Sequence, residues 1–392
     1  MQFLYSRSTT IWSLLALLFV VCVAPGPARA EKGVVTPSIS AKTTYNDNVH
    51  FKKKTDFEWL LVPAVKVDYG QEDWTLSTGA RANVYRYSDL NQYDRENYNF
   101  WLDGEKDITE TLQINFRSSF SYDHTFEDEL TESGNVTSQA LRRRYSLSPG
   151  VSWGMTEKDN LTLTLPYSQT VYTGSSNADS VSKGGTLGWS HVMNNERVSL
   201  LGQFSLTNYY FDRTDGYTDQ DVYNLMGGMH YKPSELFDIT AYFGLGHARS
   251  DVTFRTLQDT TGANTYFSFD LAGTYHREKW EFTLGADRQA SPSTDGEVTV
   301  RTRMKLSGKY SFTERLSSAV ETAYFQTESG GLISESKKRT YYVHPWIGYK
   351  WTENASIRLE FRHTNNKNLL TDKEQKQNQT ALRFEYRYPW FF

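Results

Sequence analysis

Long apolar runs are what this chain most lacks. After residue 30 no stretch of the 392-residue sequence suits a membrane-crossing helix, and hydrophobic residues make up only 38% of the chain. Such a helix needs roughly 20 consecutive apolar residues. A soluble protein of this size would show longer aliphatic core segments than any found here. Cysteine is nearly absent as well: Cys22 is the only one, which argues against a disulfide framework and thiol chemistry. Charge of one sign is missing too. The 42 basic and 46 acidic residues leave a net charge of −4, giving no basis for nucleic-acid binding or a polybasic anchor. No HExxH occurs, and the eight histidines form no close pair at metal-ligand spacing. Neither an enzyme nor a cofactor or metal site is expected.

Aromatic residues are what the chain has in quantity, at 15%. The N-terminus is also distinctive. Residues 1–7 are short with one basic residue, residues 11–23 are almost wholly apolar, and Pro25, Gly26 and Pro27 precede Ala28-Arg29-Ala30. This is the layout of a secretory signal peptide, with cleavage expected after Ala30. Residues 1–30 are read as that signal and residues 31–392 as one mature domain. The apolar run of about 13 residues is too short to span hydrocarbon. A lipoprotein cut at Cys22 is disfavoured because Val20 and Val21 stand where a small residue is needed.

Alternation dominates the rest. In residues 381–392, Leu382, Phe384, Tyr386, Tyr388, Trp390 and Phe392 share one parity, opposite Arg383, Glu385 and Arg387. Strand side chains alternate faces, so one face is apolar and the other charged. Phe57, Trp59, Leu61, Val65 and Val67 repeat the pattern against Glu58, Lys66 and Asp68; Ile357, Leu359 and Phe361 repeat it against Arg358, Glu360 and Arg362. In a bilayer the apolar face meets lipid directly.

The connections alternate in length. Eight short polar turns separate nine longer stretches, among them residues 46–54, 126–139, 212–219, 251–263 and 290–295. That count predicts an all-β, transmembrane antiparallel β-barrel of about 18 strands (16–18), with short periplasmic turns and long extracellular loops. The location that follows is the cell outer membrane. Tyr69, Trp74, Trp153, Trp280, Trp351 and Trp390 are expected in a girdle near the short turns. Tyr122, Tyr210, Phe211 and Tyr324 are expected in a second girdle near the long loops. Pro63, Pro149, Pro166, Pro345 and Pro389 fall inside proposed strands and mark bulges or strand limits, since each lacks a ladder donor. Phe392 ends the lipid-facing row and is a candidate barrel-assembly signal.

Eighteen strands enclose an aqueous lumen unless something plugs it. Residues 126–139 are the longest candidate for an inward-folded loop. Candidate pore-lining residues are Arg117, Arg142, Arg144, Arg301, Arg303, Lys305, Lys309, Arg358, Glu360, Arg383, Glu385 and Arg387. A cationic track would concentrate an anionic solute, while acids nearby, such as Glu281, Asp287 and Glu321, would offset it. Tyr85, Trp101, Tyr342 and Trp346 also point inward, where they could stack on sugar rings or simply fill the wall.

Val35-Thr36-Pro37-Ser38-Ile39-Ser40 followed by Tyr45-Asn46-Asp47-Asn48-Val49 is similar to the opening of a family of outer-membrane β-barrel porins associated with bacterial exopolysaccharide secretion. The resemblance implies a single barrel without catalytic residues, serving export of a polymer across the outer membrane. The partners it implies are the barrel-assembly machinery and polysaccharide export components, beside outer-membrane lipid and lipopolysaccharide. A non-conducting surface barrel for adhesion or envelope assembly, or a general diffusion porin, remains the alternative.

Overall fold

The computed structural model describes residues 32–125, 140–255, 258–329 and 335–392. The expected signal peptide at residues 1–30 and the stretch 126–139, expected as an inward-folded loop, therefore lie outside the described residues. Within them the backbone forms a closed antiparallel barrel of eighteen strands. No described helix is long and apolar enough to cross a membrane. The strands appear as twenty segments: β1 (Lys32–Asn46), β2 (Asp56–Gly70), β3 (Trp74–Tyr87), β4 (Arg95–Asp107), β5 (Leu112–His124), β6 (Leu141–Gly154), β7 (Asp159–Thr164), β8 (Tyr167–Thr173), β9 (Asp179–Val192) and β10 (Val198–Arg213). The second half holds β11 (Gly216–Ser234), β12 (Phe237–Phe254), β13 (Thr260–Arg277), β14 (Trp280–Pro292), β15 (Val298–Ser311), β16 (Leu316–Ser329), β17 (Lys337–Lys350), β18 (Ala355–Asn368), β19 (Glu374–Arg387) and β20 (Trp390–Phe391).

Proline explains the two extra segments. Both β7 and β8 lie between β6 and β9 in one register, interrupted at Leu165-Pro166. Both β19 and β20 pair with β1, interrupted at Tyr388-Pro389. Pro149 faces the first interruption, and the ladders also skip Pro63 and Pro345. All five prolines thus sit where a ladder hydrogen bond is absent, as the missing N–H requires. Closure comes from β1, which pairs with β2 on one side and with β19 and β20 on the other. Closure matters because an open edge in hydrocarbon would leave amides unpaired at several kcal/mol each.

The outward face is apolar along the strands. Ile39, Phe57, Trp59, Leu61, Phe116, Leu225, Leu245, Leu306, Leu359 and Leu382 are all exposed. The girdle residues near the short turns pair in space: Tyr69 with Trp74 at 4.9 Å and Trp280 with Tyr310 at 4.5 Å between ring centroids. Phe211 does not belong to the outer girdle. Tyr210 takes the outward position at 40% exposure, while Phe211 points inward and is fully buried.

Two of the expected long loops are mostly strand. Arg213 pairs with Gly216, so β10 and β11 are joined by a two-residue turn instead of a loop over residues 212–219. The stretch 251–263 is likewise shortened, since β12 runs to Phe254 and β13 starts at Thr260. Strands β10 to β13 reach 16 to 19 residues, well beyond the 9–11 or so that cross hydrocarbon. One side of the barrel is therefore a tall wall on the long-loop side. The polar residues that read as loop, such as Asp212 and Asp219, sit on the outer face of this wall, and its inner face is packed.

Candidate functional site: the lumen

Towards the short turns the lumen is open. Inward-facing side chains there remain exposed: Arg117 is 81% exposed, although it pairs with Asp103 at 3.2 Å. Lys309 meets Glu281 at 3.4 Å, with both side chains near half exposed. Arg387 is exposed and Glu385 half-buried on the same inward row of β19. Side chains that face inward yet meet solvent define a water-filled interior.

Midway, β17, β18, β19 and β1 carry a group of cations around one carboxylate. Glu360 is 5% exposed; it accepts a hydrogen bond from Arg383 Nη2 at 3.3 Å, and Arg383 Nε lies 2.9 Å from it as an ion pair. Arg358 Nη1 lies at 3.8 Å and His344 Nε2 at 3.6 Å from the same carboxylate. Lys42, from β1, is the further cation acting on it. Next along β18, Arg362 lies 4.2 Å over the ring of Tyr342, and its Nε and Nη2 make no hydrogen bond. Tyr342 donates to Glu321 Oε1. Four cationic or ionisable partners converge on Glu360, while Glu58 acts on Lys42 and Glu321 on Arg362, so this wall carries a dense set of cations with carboxylates among them.

The neighbouring cations are more evenly matched. Asp287 receives Arg303 Nε at 2.5 Å and Arg301 Nη2 at 3.5 Å. Lys305 lies 5.9 Å from the ring of Phe325. Arg144 is inward and half-buried. Arg142 differs from the expected pore-lining role: it is buried at 1% exposure and bound bidentately by Asp123, at 2.8 and 3.1 Å. It braces the wall instead of facing water.

The candidate sugar-stacking rings are largely engaged. Tyr85 and Tyr342 are buried, each under a guanidinium: Arg95 at 4.0 Å and Arg362 at 4.2 Å. Trp346 has Arg358 at 4.3 Å over one face. Trp101 lies across the backbone at Gly79, where a Cβ would collide with its ring. Burial removes Tyr85 and Tyr342 as sugar platforms; only Trp101 and Trp346 keep accessible surface. Lys42 and Arg362 were not among the expected site residues. Arg362 shares the parity of Arg358 and Glu360, so the alternation held its signal. Lys42 sits among Ser, Thr and Ala residues, and only closure of β1 on β19 brings it to Arg383.

Towards the long loops the lumen is filled. The tip joining β14 and β15 folds inward. Pairing of β14 with β13 ends at Arg288, whereas β12 and β13 continue paired to their outer ends. Val298 packs with Phe211, Val222, Ala248, Tyr266 and Ala178, a dry cluster inside the barrel. Polar contacts fix it: Val298 N–H donates to Gln220 Oε1 at 2.8 Å, and Ala178 N–H donates to Thr294 O at 3.0 Å. Gly296, with φ +83°, lies against the Arg213 side chain at a place where a Cβ would not fit.

The first loop also turns inward. Val49, His50 and Phe51 form a short 3-10 turn and are buried, with Val49 packed on Tyr85 and Tyr87. The Asp47-Asn48 pair holds it. Asn378 donates through N–H at 2.7 Å and Nδ2 at 2.6 Å to the Asp47 carboxylate. Asn48 Nδ2 donates to Lys376 O at 2.5 Å, and Gln377 Nε2 to Asn48 O at 2.9 Å. The motif thus ties the first loop to the last strand. No group of metal-ligating side chains occurs among the described residues.

A closed barrel with a lipid-facing apolar belt and a polar, water-accessible lumen is an outer-membrane porin-like protein. Two family models match it: "Putative beta-barrel porin 2" over residues 32–183 and "Putative beta-barrel porin-2, OmpL-like" over residues 197–389. Together they indicate the β-barrel porin family and agree with an outer-membrane location. Among solved structures, OccAB3 of Acinetobacter baumannii is similar, with 11% identity and a TM-score of 0.46 over 92% of this chain and 100% of that one. OccK2 of Pseudomonas aeruginosa, solved in complex with glucuronate, shows 10% identity and a TM-score of 0.47 over 92% and 98%. The copper transporter OprC shows 11% identity and a TM-score of 0.50, covering 89% of this chain and 64% of that one. At 11% identity, the likeness to OprC bears on the fold alone. None of the curated proteins matches the chain.

Proposed function

We propose that the protein is a passive outer-membrane pore that favours an anionic, hydrophilic solute. The observation that carries this reading is the Glu360 wall. Lys42, Arg358, Arg383 and His344 gather around one carboxylate on a half-wet surface, and Arg362 adds a guanidinium beside it over Tyr342. A cationic wall in a low-dielectric tube concentrates counter-charge along the path. Planar-bilayer recording of the purified protein under a salt gradient tests it. The expected result is stable channels whose reversal potential reports anion preference. Channels that prefer cations would overturn the charge reading, and a barrel that conducts nothing would overturn the pore.

Export of an acidic polysaccharide is the specific version of this reading. It is supported by the opening strand and Asp47-Asn48 loop, which resemble those of the secretion-associated porins. Deleting the gene and measuring surface polymer checks it: unchanged polymer with lost uptake of small anions assigns the pore to ordinary diffusion. A non-conducting barrel is the second reading, and the inward-folded tip at residues 293–297 favours it. Removing that tip separates the two, because a plugged barrel conducts only after the removal.

A further inference from the structure

The outer wall carries a feature that transport does not use. On β14 to β17 other outward positions are small as well (Ala286, Thr302, Gly308), and the groove forms in the one cross-strand row where large side chains surround Thr322. Leu284 and Leu306 flank it on one side and Val343 on the other, with Met304, Tyr324 and Tyr341 in the next row. The result is an apolar groove of about 260 Å³ on the lipid-facing surface. Directly above it, towards the long loops, stands Arg339. It is exposed, two residues beyond Tyr341 on β17, and its guanidinium lies 6.0 Å from the Tyr324 ring.

The charges around Arg339 are sorted. Glu328 is held by Lys337 at 2.9 Å and by Gln326 at 2.8 Å. Lys367, on the neighbouring strand, is held by Asp372 at 2.6 Å. Arg288 lies in the same cross-strand row and donates to Thr302 Oγ1 at 2.9 Å. Among the described residues Arg339 has no carboxylate partner. Glu328 lies in the field of Arg288 as well as of Lys337, which leaves Arg339 as the cation of this edge that no carboxylate holds.

We infer that this groove and its cationic edge form a binding site for a phosphorylated glycolipid of the outer leaflet. An acyl chain fills the notch at Thr322, and a headgroup phosphate pairs with Arg339. The inference rests on the outer-membrane reading. Guanidinium pairs with phosphate through two parallel hydrogen bonds, which suits a fixed headgroup. The acyl chain gains the contacts that the missing side chain leaves open.

The test uses the whole barrel refolded into vesicles, with heat-modifiable mobility as proof of insertion. Failure of the wild type to insert would count against the membrane reading itself. Native mass spectrometry then measures binding of bisphosphorylated lipid A and of its dephosphorylated form. The expected result is that the phosphorylated form binds about tenfold more tightly, a difference lost in Arg339→Gln, while Thr322→Trp weakens both forms. Equal binding of the two forms by the wild type overturns the proposal. So does unaltered binding in Thr322→Trp, including the case where that variant only changes the oligomeric state and the groove is an interface between copies.

Discussion

The inner and outer halves of this lumen are built from the same strands and behave differently. Near the short turns, inward charges such as Arg117 and Lys309 stand in water and pair loosely. Near the long loops, inward side chains such as Phe211, Tyr266 and Arg142 are buried. Alternation is equally good in both halves, so it does not make the difference. What makes it is chain that returns from the rim: the β14–β15 tip and the first loop each place side chains against the inner wall. On the proposed reading, wall chemistry sets which charge is favoured, and returning chain sets how much room is left.

This contrast can be broken experimentally. The largest effect is expected at the buried pair of the outer half. Asp123→Ala removes the bidentate partner of Arg142, at a cost of about 3–5 kcal/mol by denaturant unfolding in detergent. Its inner-half counterpart, Asp103→Ala, removes an exposed pair and should cost less than about 1 kcal/mol. Similar losses at the two positions would erase the distinction between the halves. Next is the latch of the first loop. Asn378→Ala takes two hydrogen bonds from the Asp47 carboxylate, and about 1–3 kcal/mol of loop stability should go with them. Faster proteolytic cutting within residues 47–55, with the barrel intact, is the readout.

Two smaller effects concern conduction. Replacing Arg362 and Lys42 together by Gln should lower the anion-to-cation permeability ratio about threefold, read from reversal potentials, since two charges leave the wall. An unchanged ratio would move selectivity to the rim. Deleting residues 293–297 should raise single-channel conductance about twofold, as the returning tip is removed from the water path. A deletion that leaves conductance unaltered would mean that the tip lies beside the path.

Much of the architecture was legible beforehand, for a physical reason. Lipid accepts only apolar side chains, and strands alternate, so Leu382 to Trp390 announced their outward face unaided. Proline lacks a donor, so Pro166 and Pro389 announced the ladder gaps. The lumen was legible in part. Arg358, Glu360, Arg383 and Glu385 take the face opposite the exposed Leu359, Phe361, Leu382 and Phe384, which is as far as parity reaches. Arg142 was read as pore-lining because its parity is right; its burial comes from Asp123 across the β5–β6 pair. Tyr210 and Phe211 show the limit most plainly. Two aromatics in a row satisfy either parity, and register alone puts Phe211 inside.

By itself the sequence determined that the chain crosses a membrane on strands, how many there are, and which side chains meet lipid, because these follow from a period of two and from local donors. Only the tertiary structure decided which loops return to the lumen and which cations share Glu360. Val298 meets Gln220 across 78 residues, and Lys42 meets Arg383 only where the first strand closes on the last. Contacts of that range leave no local pattern, and they exist only once the barrel is closed.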